Sequence, residues 1–218
     1  SDANRYQIVV KEGTLYPTIN TGTATLRSSS IWMVDDVSVY GGFDASLSGT
    51  DIDGRNPVSH PSVISGQVMN EGFSYNSATL VQFGNVDGAV LDGFCLTLAN
   101  AASQSNYPAD GKGGAIRVRN DRRMFIDASG WHVQDVSDGD RKTMASNKIR
   151  NCIVSNCGAL DGAAIYIDTE NASTTTLENV IAHNNGTNFN STGNIAQNES
   201  YSALTPDGRS HSIIYVGA

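Results

Sequence analysis

The sequence predicts an all-β chain folded as a single-domain, right-handed parallel β-helix, a solenoid with long corner-loop insertions. Three observations carry that expectation. First, Leu91-Asp92-Gly93-Phe94-Cys95-Leu96 aligns without a gap to Ile149-Arg150-Asn151-Cys152-Ile153-Val154 and to Leu177-Glu178-Asn179-Val180-Ile181-Ala182. Second, Gly113-Gly114-Ala115-Ile116-Arg117-Val118 matches Gly162-Ala163-Ala164-Ile165-Tyr166-Ile167, and more loosely His211-Ser212-Ile213-Ile214-Tyr215-Val216. Third, helical periodicity is almost absent. Apolar runs are short, rich in Val and Ile, and end in Gly, Asn or Asp, the pattern of strands closed by turns. A unit of this size cannot bury its apolar face alone, so the repeats must stack on one another.

The elements follow in order. Candidate strands run over 7–10, 31–34, 37–40, 63–64, 80–83, 89–91, 94–98 and 115–118, then 149–155, 164–167, 174–177, 180–183 and 212–216. The repeat also reaches backwards, because 34–43 echoes 86–94 with a slip of one residue at its end. No helix-length segment separates these strands, which disfavours βαβ units. In-register stacking then places Val39, Leu91, Ile149 and Leu177 in one column, Phe94, Cys152 and Val180 in a second, and Cys95, Ile153 and Ile181 in a third. Gly93, Asn151 and Asn179 form a turn column. Gly and Asn both tolerate left-handed backbone, and an Asn ladder there can satisfy backbone groups at the bend.

Spacing locates the insertions. Ile149 to Leu177 is 28 residues, one coil with short loops, whereas Leu91 to Ile149 is 58. The surplus falls at two corners, 101–112 and 121–147, and a third insertion, 187–210, falls at the same corner as 101–112. Loops outside stacked strands tolerate such additions. Ile213-Ile214-Tyr215-Val216 reads as a repeat strand with no polar cap after it. Exposed strand edges invite pairing, so a further domain or chain is expected to cover that end of the stack.

Composition sets the outer bounds. The repeat runs through residues 1–218 without a linker, so one domain is expected, as a whole protein or as a fragment of a longer surface protein. Charged residues are 17% and Gly 22 of 218, a mix that suits many turns. The net charge of −8 disfavours nucleic acid, whose phosphates need a basic face. No run of 18 apolar residues spans a membrane. Cys152 and Cys157 are spaced for a bridge across a turn or for two buried thiols, and a strand stack favours the thiols.

Several blocks resemble a known family in order along the chain. They are Ile8-Val9-Val10-Lys11-Glu12-Gly13-Thr14-Leu15-Tyr16-Pro17, Val37-Ser38-Val39-Tyr40-Gly41-Gly42-Phe43, His60-Pro61-Ser62-Val63-Ile64-Ser65-Gly66 and Leu91-Asp92-Gly93-Phe94. They are similar to successive signatures of bacterial surface β-helix proteins, the polymorphic outer-membrane-protein-like or right-handed β-helix repeat family, over about residues 7–186. The resemblance implies an exported protein, extracellular or on the outer cell surface, adhesin-like or glycan-associated. Its motifs are structural and transfer no catalytic residue. The 121–147 insertion departs from the family's short loop.

That insertion is the leading binding candidate. It holds Arg122, Arg123, Asp127, Trp131 and His132, and Tyr107 on the 101–112 loop, at another corner of the same coil, flanks it only if the long loop folds across the strand face. An aromatic ring beside charged groups suits a sugar, stacking on the pyranose face and hydrogen-bonding its hydroxyls. The alternative is that Trp131 and Phe125 pin the loop to the wall, since a long loop needs an apolar anchor. Asp51-Ile52-Asp53-Gly54-Arg55-Asn56 is similar to the start of a calcium loop but lacks the downstream bidentate Glu, so a plain turn is expected. Asp92, Arg117, Arg119, Asp168 and Glu178 are candidates for outward strand faces, where a hydrolase or lyase would place its carboxylates and base. His60, His132, His183 and His211 show no metal-ligand spacing, and His183 aligns with the ordinary repeat positions Thr97 and Ser155. No catalytic residue, metal or cofactor is assigned. The expected function is binding of a glycan or a partner surface protein, with a polysaccharide lyase or glycoside hydrolase and a structural stalk as the alternatives.

Overall fold

Short β-branched runs between Gly and Asn corners form strands of two to seven residues. The structure is a computed structural model describing residues 6–17, 26–46, 51–68, 75–101, 111–168, 175–186 and 214–216. Fifteen of the strands build three parallel sheets. The first holds β1 (Tyr6–Lys11), β4 (Val37–Phe43), β7 (Val90–Asp92), β12 (Lys148–Arg150) and β15 (Thr176–Glu178). The second holds β2 (Gly13–Leu15), β5 (Ser62–Ser65), β8 (Phe94–Thr97), β13 (Ile153–Ser155) and β16 (Ile181–His183). The third holds β3 (Ile31–Trp32), β6 (Val81–Gly84), β9 (Ile116–Arg119), β14 (Ile165–Asp168) and β17 (Ile214–Val216). The chain visits the sheets in that order five times, and each pass is one coil. The molecule is therefore all-β with parallel sheets. Among the described residues there is no α-helix, and no helix is long and apolar enough to cross a membrane.

The register stacks like on like. Ile8, Val39, Leu91, Ile149 and Leu177 form one column of the first sheet. Ile64, Leu96, Val154 and Ala182 form the matching inward column of the second. Ile31, Val81, Ile116, Ile165 and Ile214 align in the third. Apart from Ile8, which is half exposed, and Ile214, which is placed by backbone register alone, these inward columns join Phe83, Val118 and Ile167 in one continuous apolar core. Each fully buried aliphatic side chain contributes about 1.5–3 kcal/mol.

Corners turn on left-handed backbone. Gly93, Asn151 and Asn179 have φ of 81°, 51° and 51° at one corner, and Asn156 and Asn184 have 54° and 52° at the next. The Asn151–Asn179 ladder bonds amide to amide. The orphaned backbone groups are served by other asparagines. Asn147 accepts from Ala89 N–H and donates to Val86 C=O, and Asn185 accepts from Cys157 N–H and donates to Val154 C=O. Asn151 also divides the 149–155 stretch, expected as one strand, into β12 and β13. The one-residue slip between 34–43 and 86–94 is a bulge at Gly41-Gly42, where Val9 pairs with Tyr40 but Lys11 with Phe43. Cys152 and Cys157 are buried free thiols.

The insertions lie where the spacing put them. The 101–112 and 187–210 segments connect the second sheet to the third, and 121–147 connects the third to the first. Most of 101–112 and all of 187–210 lie outside the described residues, as does the expected covering of the C-terminal end of the stack.

Column position, rather than side-chain type, sets the cost of truncation. Ile149→Ala, at a fully buried core position, is expected to cost about 2–5 kcal/mol in urea unfolding. Ile153→Ala, on the outward, half-buried column, should cost clearly less. Equal losses would contradict the inward–outward assignment.

Candidate functional site

A fourth insertion, 44–61, lies between the first and second sheets in coil two, outside the three that the spacing locates. Its turns are locally determined. Asp51 Oδ1 accepts from Asp53 N–H at 3.1 Å, and Asn56 Oδ1 accepts from Val58 N–H and Ser59 N–H at 3.1 Å. The Asp51–Asn56 stretch is thus a turn that carries Arg55 over the outer face of the first sheet. There Arg55 Nη1 donates to Gly41 C=O at 3.0 Å, its guanidinium lies 5.4 Å from the Tyr40 ring centre, and Nη2 pairs with Asp92. Two glycines permit this approach. A Cβ on Gly93 would stand 2.1 Å from Arg55 Nη1, and one on Gly42 would meet Pro57 Cγ at 2.7 Å.

Asp92 is the polar centre of this corner. Its side chain is 1% exposed. Oδ1 accepts from Arg55 and from Asn151 Nδ2 at 2.9 Å, and Oδ2 accepts from Arg150 Nε at 2.5 Å. Asn179 Nδ2 donates to Asn151 Oδ1 at 3.2 Å, so the amide ladder ends on the carboxylate. Two guanidiniums and one amide satisfy the buried charge, which an apolar interior would otherwise expel.

Between the 51–58 segment and the outer face of the second sheet runs a groove of about 520 Å³. Its floor is an outward column, Cys95, Ile153 and Ile181, continuing the line of Val63. Ile52, Pro57 and Val58 form one wall, and Asp53, Arg150, Asn151 and Asn179 supply polar groups. Burial pushes the Cys95 thiol above its ordinary value, and pushes Cys152 and Cys157 up to about 12. Cys152 and Cys157 are therefore inert at neutral pH. Cys95 and Cys152 both line the groove, and of the two Cys95 is the one that is partly exposed.

The 121–147 insertion forms an antiparallel hairpin, β10 (Arg122–Asp127) and β11 (Gly130–Asp135). Its charged candidate residues lie at both ends of the hairpin. Arg122 pairs with Asp135 at 2.9 Å and Arg123 donates to Gln134 Oε1 at 3.4 Å, both at the open end of the hairpin. Asp127 and His132 meet nearer the turn, at 3.1 Å, and His132 stacks on Phe125 with ring centres 5.2 Å apart. The backbone of Trp131 lies opposite Ile126, and Tyr107 is outside the described residues. Hydrogen bonds from Ser129 hold the Asp127 carboxyl below its usual range. Ser129 Oγ and Asp127 Oδ1 both face Nε2 of His132, at 2.9 and 3.1 Å. A nucleophilic relay needs them on opposite ring nitrogens, so this trio is a turn lock. Phe125, half-buried, stacks on His132, and the side chain of Trp131 lies outside the described residues. Val136 and Met144 are buried, and Lys142 N–H and Ser146 N–H donate to Asn85 and Asp87.

The outward-face candidates divide. Tyr40, Asp92, Arg150 and Glu178 do share one outward column of the first sheet. Asp92, Arg117 and Arg119, however, are buried. Arg117 lies 5.7 Å from the Tyr166 ring centre, and Arg119 makes a two-pronged pair with Asp121. Asp168 aligns with Arg119, and Glu178 is exposed at the last coil. His183 sits in register with Ser155 and Thr97, as the repeat implied. Sequence reasoning missed Arg55 and the groove. The available signal was Gly93 standing where the next two coils have Asn151 and Asn179, beside an unexplained insertion at 44–61. Comparison of the chain with protein-family models, curated protein sequences and solved structures returned no match.

Removing the central carboxylate leaves Arg55 and Arg150 facing each other without it. Asp92→Ala is therefore expected to cost about 3–5 kcal/mol in urea unfolding at neutral pH. A loss below about 1 kcal/mol, the value of an exposed pair, would show that the corner is not sealed.

Proposed function

We propose that the chain is a right-handed parallel β-helix module of the bacterial surface β-helix repeat type, exported and adhesin-like, that binds a partner protein in the groove beneath the 51–58 segment. Five passes through three parallel sheets in one order support the closed helix, and crossovers between parallel strands are right-handed in nearly all proteins. The ordered resemblance over 7–186 supports the family and the outer-surface location.

The observation that carries the binding site is the outward apolar column Cys95, Ile153 and Ile181, roofed by Ile52, Pro57 and Val58. Ligand sites combine such an apolar bed with a few fixed polar groups, and the amide ladder of Asn151 and Asn179 supplies them. The lining favours a protein segment with apolar side chains over a glycan. Sugars stack on exposed rings, and the ring in this lining, Phe94, is buried. The lining also favours binding over cleavage. Glycoside hydrolysis needs two carboxylates about 5–9 Å apart across a cleft. Of the two carboxylates here, Asp53 and Asp92, the second is held by two guanidiniums.

A displayed peptide library and a glycan array, each probed with the intact protein, test this reading. Apolar peptides should be enriched, should slow alkylation of Cys95 by N-ethylmaleimide, and should lose at least about ten-fold in affinity with Ile153→Glu, roughly 1.4 kcal/mol. Selective glycan binding that leaves Cys95 alkylation unchanged, or peptide binding indifferent to Ile153→Glu, would overturn it.

A further inference from the structure

We infer that Glu12, Asp44 and His60 form a binding site for a divalent transition-metal ion of the zinc class. The fold brings them together from two neighbouring coils. Glu12 lies at the corner between β1 and β2, Asp44 directly follows β4, and His60 lies two residues before β5. One donor atom from each falls within 4.8 Å of the other two. His60 Nδ1 stands 3.0 Å from Glu12 Oε2, and Nε2 stands 3.9 Å from Asp44 Oδ2. Zinc ligands sit about 2.0–2.2 Å from the metal, which places tetrahedral neighbours about 3.3 Å apart. The Glu12–His60 separation lies near that value, and Asp44, which faces the other ring nitrogen, still places a carboxylate oxygen within 4.8 Å of the other two donors.

Each carboxylate is held by its other oxygen. Glu12 Oε1 accepts from Ala45 N–H at 3.1 Å, and Asp44 Oδ1 accepts from Ser46 N–H at 2.7 Å and Ser46 Oγ at 2.6 Å. Oε2 and Oδ2 are left directed at the imidazole, the kind of outer-shell support that fixes metal ligands. The neighbouring cation, Lys11, is drawn onto Ala45 C=O at 2.8 Å. The imidazole is what gives the cluster its selectivity. Carboxylates alone suit calcium or magnesium, whereas an imidazole suits zinc, copper, iron or nickel. Two carboxylates balance the ion's double charge. The side chains are 35%, 29% and 32% exposed for Glu12, Asp44 and His60, which leaves the remaining coordination positions open to water.

The site is separate from the groove but touches the same insertion. Asp44 and His60 bracket the 44–61 segment, so an ion there would tie both ends of that segment to Glu12 of coil one.

The test is a titration of the EDTA-treated, dialysed 218-residue protein with Co²⁺, read by visible absorption and calorimetry, then competed with Zn²⁺. One saturable equivalent is expected. His60→Ala should weaken it by about ten-fold or more, since even outer-shell changes cost that much. Glu12→Gln and Asp44→Asn should each weaken it while leaving the circular dichroism of the strands unchanged. Absence of saturable Co²⁺ or Zn²⁺ binding by the wild-type protein would overturn the assignment and leave a histidine ion-paired with two acids. So would unchanged affinity in Glu12→Gln and Asp44→Asn, or in a folded His60→Ala.

Discussion

Backbone hydrogen bonds in this molecule run from one coil to the next, and that constraint shapes everything else. In the three sheets each inner strand is paired by the strands above and below it, in parallel and in register. A slip of one residue would turn every inward side chain outward. Leu91 therefore has to lie on Val39 and under Ile149, and the same positions recur as aliphatic residues in coil after coil. Change is confined to the corners, where added residues leave the ladder intact. Even there the ladder has to be closed, and Asn147 and Asn185 do so by bridging backbone groups between coils.

The groove follows from one such addition. The 51–58 part of this insertion lies over the first sheet and is held there by Arg55 on Asp92. The outward position of Asp92 would ordinarily be solvated. Covered by the insertion, it becomes a buried carboxylate whose oxygens are taken up by Arg55, Arg150 and Asn151. Gly93 departs from the Asn of its column because the side-chain space is filled by Arg55 and Pro57. Sheet, corner and insertion are thus coupled through one ion cluster, and the apolar bed beside it stays open along the second sheet.

Much of the fold was legible in the sequence because stacking repeats its demands. The ungapped blocks at 91, 149 and 177 placed the core columns, and the spacing placed three insertions at the correct connections. What one residue does to its own coil was harder to read. The stretch 149–155 looks like a single strand because Asn151 is the sole break in an apolar run. The site was less legible still. The 121–147 loop drew attention through its charges, yet Arg122, Arg123, Asp127 and His132 are paired within the hairpin. Arg55 and Asp92 are 37 residues apart, and His60 and Glu12 are 48 apart. No local spacing rule joins such pairs, because the coil-to-coil distance in sequence is set by insertions of arbitrary length.

The register of coil three on coil four can be tested by cross-linking. Cys95 and Ile153 are direct partners on the outward face. Neighbouring strands lie about 4.8 Å apart, within the range of about 4.4–6.8 Å that a disulfide spans between Cα atoms. In Ile153→Cys, mild oxidation should give a bridge between positions 95 and 153, identified by mass spectrometry of the digested protein. Val154→Cys, which faces the core opposite Leu96, should give no bridge to Cys95. A bridge from position 154 and none from position 153 would mean that the strands are offset by one residue, and the columns, the corner cluster and the groove built on them would all be wrong.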